Sequence, residues 1–116
     1  MQRSDKINYL ELPSLDPAAS KAFFSAVFGW RFVDYGPDYL AFFDAGLAGG
    51  FYRATQVATP AQGAGLVVLH SNDLAQSLAA VQAAGAVVVK EIFSFPGGRR
   101  FEFLEPGGNQ LAIWAQ

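Results

Sequence analysis

Asp16-Pro17-Ala18-Ala19-Ser20-Lys21-Ala22-Phe23-Phe24-Ser25-Ala26-Val27-Phe28-Gly29-Trp30 reads as one helix with both ends marked. An aspartate in this place caps the free N–H groups of a first turn, and proline suits the first helical position because its missing N–H would be unpaired there. Ala19, Phe23, Ala26 and Val27 repeat at helical spacing and predict one buried stripe, widened by Phe24 and Phe28. Gly29 stands where a left-handed residue ends a helix.

Strand-like runs flank that helix. Residues 7–12 alternate, which puts Ile7, Tyr9 and Glu11 on one face, and Pro13 is expected to end the run. Further strands are expected at 31–35, 39–45 and 48–54, the last loosened by Gly49-Gly50, where a bulge or a close approach to the backbone is anticipated. Thr55–Gly65, with Pro60 and Gly63, is a connector. The design then restarts: a strand at 66–71, an Asn72-Asp73 cap, and a helix with Leu74, Leu78, Val81 and Ala84 at helical spacing, stopped by Gly85. Strands follow at 86–92, 99–104 and 110–115, with Phe95-Pro96-Gly97-Gly98 read as a hairpin turn rather than a lid. Asp16 corresponds to Asp73, Gly29 to Gly85, and Phe43-Asp44-Ala45-Gly46 to Leu104-Glu105-Pro106-Gly107. Each half is strand–helix–strand–strand–strand and about 55 residues long, an internal period that sets the architecture. The expectation is a single α+β domain over 1–116: two βαβββ repeats (5–54 and 64–116), joined by linker 55–63, forming a curved mixed sheet around a cavity. Ferredoxin-like and other α+β sandwiches stay open, although they do not require the repeat.

Composition narrows the partners. Of 116 residues, 52% are hydrophobic and 16% charged, against a usual charged share of about 25%. So few charges over so small a surface point to a homodimer. A net charge of −2 leaves no electrostatic footprint for nucleic acid. Arg99-Arg100 is the one basic pair, read as a solvated strand start. With no cysteine there is no disulfide, thiolate site or cysteine nucleophile. Residues 1–6 lack the apolar core of a signal peptide and no run reaches membrane-spanning length, so a cytoplasmic protein is expected.

The chain resembles the vicinal-oxygen-chelate superfamily, that is, glyoxalase I, bleomycin-resistance proteins and extradiol dioxygenases. The motifs are Leu10-Glu11-Leu12-Pro13 with Asp16, then Ala22-Phe23-Phe24-Ser25-Ala26-Val27-Phe28-Gly29-Trp30, Asn72-Asp73-Leu74, Ala84-Gly85-Ala86, and Phe103-Leu104-Glu105-Pro106-Gly107-Gly108-Asn109-Gln110-Leu111. The resemblance implies a cavity in which His or Glu side chains on the first and last strands of each repeat hold a divalent metal. Carried over, those positions fall on Tyr9, Leu66 and Ala112, and residues 48–53 supply no His, Asp or Glu. No metal or other cofactor is therefore expected.

Period-two geometry places Glu11 with Tyr9, His70 with Leu66 and Val68, and Trp114 with Gln110 and Ala112. Glu11 and His70 are the candidate proton-transfer groups. Tyr9, Tyr52 and Trp114 combine an apolar body with a polar tip. With Glu11, Val68, His70 and Phe103 they form the candidate ligand-binding set for a small organic molecule. Bleomycin-resistance-like binding or sequestration is the leading expectation. A glyoxalase-like lyase or isomerase using Glu11 or His70 is the alternative, and a structural or regulatory interaction domain the third.

Overall fold

Helix α1 (Pro17–Phe28) is built as its ends foretell. In the computed structural model, which describes residues 4–116, the Asp16 carboxylate accepts from the Ala19 N–H at 3.2 Å. Gly29 turns left-handed at φ 73° and its N–H reaches the Ser25 carbonyl at 3.1 Å. Met1–Arg3, the start of the segment read above for a leader, lie outside the described residues.

The first module adds β1 (Tyr9–Ser14), β2 (Arg31–Asp34), β3 (Tyr39–Phe43) and β4 (Ala48–Arg53) in the order β1-β4-β3-β2, with β1 parallel to β4. The second repeats it with β5 (Val67–His70), α2 (Leu74–Ala83), β6 (Val87–Phe95), β7 (Gly98–Leu104) and β8 (Gln110–Ala115) in the order β5-β8-β7-β6. The tandem βαβββ expectation is met, with the sheet in two four-stranded halves. Asp73 caps α2 by accepting from Gln76 N–H at 3.1 Å. Beyond it, Gly85 and Ala86 donate back to Gln82 and Val81 in a Schellman close. The connector carries one 3-10 turn, Pro60–Gln62.

Of the strand boundaries that differ from expectation, two have a clear physical reason. Strand β1 passes through Pro13, which pairs with Tyr52, and ends at Ser14. The Pro13 carbonyl points away from β4 and accepts from Asn109 Nδ2 at 2.7 Å. On an edge strand, the proline therefore lacks its N–H on the side where no ladder needs it. Strand β6 runs on to Phe95, using register shifts on either side of Lys90, before a two-residue Pro96-Gly97 turn with Gly97 at φ 107°.

One apolar core joins the helix-facing sides of both sheets. Phe24 stacks on Trp30 at 4.5 Å and lies 5.3 Å from Phe51, while Phe23 meets Phe103 of β7 at 5.8 Å. The buried stripe of α1 runs Pro17, Ser20, Phe23 and Phe24, and the expected member Ala26 is exposed. Ser20 replaces it because its hydroxyl has a partner in the core. It donates to Glu105 Oε1 at 2.8 Å and lies 2.8 Å from Ser14 Oγ. Buried Glu105 also accepts from the Gly107 N–H and, at 2.7 Å, from Asn109 Nδ2. A buried carboxylate is costly unless donors surround it. Glu105 has them, and the network fastens the β7–β8 turn of one module to α1 of the other. The second module repeats the serine pair without the carboxylate: Ser71 and Ser77 are 2.7 Å apart. Asp44, at the turn corresponding to Glu105, instead pairs with Arg31 at the surface.

Candidate functional site

Each sheet has one face turned to the common core, so the other face looks away from it. Register fixes what these open faces carry. On the first sheet they are Tyr9 and Glu11 of β1, Gly50 and Tyr52 of β4, and Tyr39 and Ala41 of β3. On the second they are Val68 and His70 of β5, Ala112 and Trp114 of β8, and Arg100 and Glu102 of β7. The candidate ligand set therefore divides. Tyr9, Glu11 and Tyr52 belong to the first module, and Val68, His70 and Trp114 to the second. Phe103 is on neither open face: it points inward, fully buried between Phe23 and Phe101, and is part of the core.

On the first open face the phenols of Tyr9 and Tyr39 meet at 2.6 Å, and Tyr39 donates to Glu11 Oε2 at 3.0 Å. Gly50 makes this possible, because a Cβ there would strike the Tyr39 ring and hydroxyl. The paired strand glycines thus mark close approach rather than a bulge, and Gly49 likewise leaves room for the Phe42 ring. Burial, and then the hydrogen bonds to Tyr9 and Glu11, push the Tyr39 phenol well above the ordinary tyrosine range. It stays a neutral donor that orients Glu11.

The second open face is aromatic and cationic. The His70 ring stands edge-on to Trp114 at 5.0 Å, and Phe95 lies 6.4 Å from Trp114. With Val68, Pro96, Gly97 and Arg100 the rings of Phe95 and Trp114 line a cleft of about 340 Å³. Arg100 pairs with buried Glu102 at 3.1 Å and lies over Phe93 and Phe95 at 5.4 and 5.8 Å. This corrects the reading of the basic pair as solvated: Arg100 is half-buried and only Arg99 points to solvent. Arg100 Nε is buried without a hydrogen-bond partner among the described residues. A second cleft, of about 450 Å³, opens between the modules over Leu10, Leu12, Leu66 and Leu111.

Sequence reasoning missed Tyr39, Arg100, Glu102 and Phe95. The short Glu105–Asn109 turn sets Leu104 opposite Gln110, and counting back from there would have placed Glu102 beside Ala112. At the coordinating positions the resemblance implies, the side chains are a phenol already bonded to another phenol, a leucine, and a fully buried alanine. Among the described residues no three His, Asp or Glu side chains converge. No helix there is long and apolar enough to cross a membrane.

Paired βαβββ modules, each with a helix on one face and an open sheet on the other, define a class of domain. The comparisons identify the class: residues 6–113 match the model of the Glyoxalase/Bleomycin resistance protein/Dioxygenase superfamily, and the chain belongs to that superfamily. Among solved structures it is similar to a glyoxalase/bleomycin resistance protein/dioxygenase family enzyme from Burkholderia phytofirmans PsJN. The TM-score is 0.79 at 16% identity, covering 94% of this chain and 97% of that one. TioX from Micromonospora sp. ML1 gives 0.71 at 20% identity (95% and 98% covered), and lactoylglutathione lyase from Agrobacterium tumefaciens 0.71 at 16% (98% and 96%). These likenesses are of fold. No curated protein matches the sequence.

Proposed function

We propose that the chain binds a small organic molecule on the open face of its second module, in the cleft of Trp114 and Phe95, and acts by holding it. The aromatic cleft itself is what carries this reading, since rings with a few polar groups are what such ligands need. The donor set does not fit a divalent ion, because Tyr9, Leu66 and Ala112 bring no imidazole or carboxylate. The test is quenching of tryptophan emission by naphthalene-type compounds. Trp30 is buried in the core, so the response belongs to Trp114, and W114F is expected to lose it. Binding unchanged in W114F would refute the assignment. Metal analysis of protein purified without chelator is expected to find no stoichiometric divalent ion; one ion per chain would overturn the donor argument.

The alternative, a lyase or isomerase moving protons through Glu11, is supported by one observation, the carboxylate oriented by the Tyr9–Tyr39 pair. Incubation with lactoylglutathione in heavy water tests it. α-Proton exchange present in the wild type and lost in E11Q would establish it over the binding reading. His70 stands against an aromatic ring at the edge of the cleft, which suits it to contact a ligand. A homodimer completes the proposal: Tyr9, Val33 and Tyr52 on the first module's open face are 41–46% exposed, apolar surface that a second subunit would cover. Native mass spectrometry reads this directly.

A further inference from the structure

We infer that the ligand of the second module's cleft is a planar aromatic anion whose charged group is held by Arg100. This rests on the ligand-binding reading above and names the chemistry the site selects. Charge is the first support. Register sets Lys90 opposite Glu102, and Arg100 opposite Trp114, so this part of the open face holds two fixed cations against one carboxylate. The second support is hydrogen-bonding capacity. Glu102 is buried, is ion-paired with Arg100 at 3.1 Å and accepts from Gln110 Nε2 at 2.9 Å. A guanidinium carries five N–H donors, and the Arg100 side chain, paired with Glu102 among the described residues, keeps 31% of its surface open although its Nε is closed off.

Shape is the third support. Phe93 and Phe95 lie against the Arg100 guanidinium and fix its plane, while Phe95 and His70 flank Trp114. A planar fork held in place reads a carboxylate in its own plane, and the rings beside it take the aromatic body of the same molecule. A cationic ligand would instead meet Lys90 and Arg100 with like charge.

Isothermal titration with three probes sharing one ring system tests this: 2-naphthoate, the neutral 2-naphthalenemethanol and the cationic 2-naphthylmethylammonium. Naphthoate is expected to bind at least about tenfold more tightly than the alcohol, with the ammonium weakest, and the preference should shrink as salt is raised. R100Q/E102Q removes both members of the ion pair, so neither is left buried alone. In this variant naphthoate and the alcohol are expected to bind alike, at the wild-type level for the alcohol. R100K keeps Glu102 paired and the charge in place, and is expected to lose part of the preference; it supplies the reading should the double variant fail to fold. Equal wild-type affinities for naphthoate and the alcohol, or a preference for the ammonium, would overturn the inference and leave the cleft reading standing. So would a preference that R100Q/E102Q or R100K retains in full. Failure of all three probes to bind would remove both.

Discussion

Tyr39 shows how one side chain shapes its surroundings. Its phenol proton is held by burial and by the contacts to Tyr9 and Glu11. The raised folded value has a definite consequence for stability. Below the unfolded tyrosine value of 10.0 the phenol is neutral in both states, and its contribution is complete. Above it, the unfolded chain loses the proton while the folded chain keeps it, so that contribution is lost as pH rises. Denaturant melts at pH 8 and above pH 10 should therefore show a steeper fall for the wild type than for Y39F. Parallel curves would contradict the account. Gly50 makes a second case at this scale. Since any side chain there meets the Tyr39 ring, G50A is expected to cost about 1–3 kcal/mol and to weaken the pH effect as Tyr39 is displaced. An unchanged melt would show that the ring moves freely.

At the scale of elements, the helix and strands were largely legible because their signals are local. Asp16, Pro17 and Gly29 fixed α1, and Asp73 and Gly85 fixed α2. Pro13 misled because strand termination is a statement about N–H groups that are needed, and an edge strand does not need that one. Ser20 misled because a hydroxyl inside a helix looks like surface until its acceptor is known, and Glu105 lies 85 residues away. The repeat itself held the hint: Ser14, Asp16 and Ser20 recur as Ser71, Asp73 and Ser77 at the same spacing. Only the first copy receives a carboxylate, which makes the Glu105 turn the fastening between modules. Replacing it by E105A leaves the Ser20 hydroxyl, the Gly107 N–H and the Asn109 amide short of an acceptor, and about 2–4 kcal/mol should be lost. S77A, in the copy without a carboxylate, should cost less than S20A. Equal losses would mean the network does not bear on stability.

For the whole molecule, what sequence could not supply was how the open faces are shared out. Period-two counting groups Tyr9 with Glu11, Val68 with His70 and Ala112 with Trp114, and each group shares one sheet face, since alternation is a property of one strand. The repeat puts Glu11 and Tyr39 in one module and His70 and Trp114 in the other, but alternation could not tell that they meet, because that depends on which strands pair. Glu102 beside Ala112 and Arg100 beside Trp114 follow from hairpin register rather than from composition, and only counting back from the Glu105–Asn109 turn reaches them. The resulting molecule turns both helical sides inward and offers two chemically different surfaces outward: one phenolic with a carboxylate, the other aromatic with an excess of cations.

The most direct test of the claim that the second of these surfaces is the binding site is amide and indole chemical-shift mapping during titration with 2-naphthoate. The account predicts that perturbations concentrate at Val68, His70, Phe95 to Arg100 and the Trp114 indole N–H, leaving Tyr9, Glu11 and Tyr52 unmoved. Shifts centred on Leu10, Leu12 and Leu66 in the cleft between the modules, or on Tyr9 and Tyr39, would contradict it.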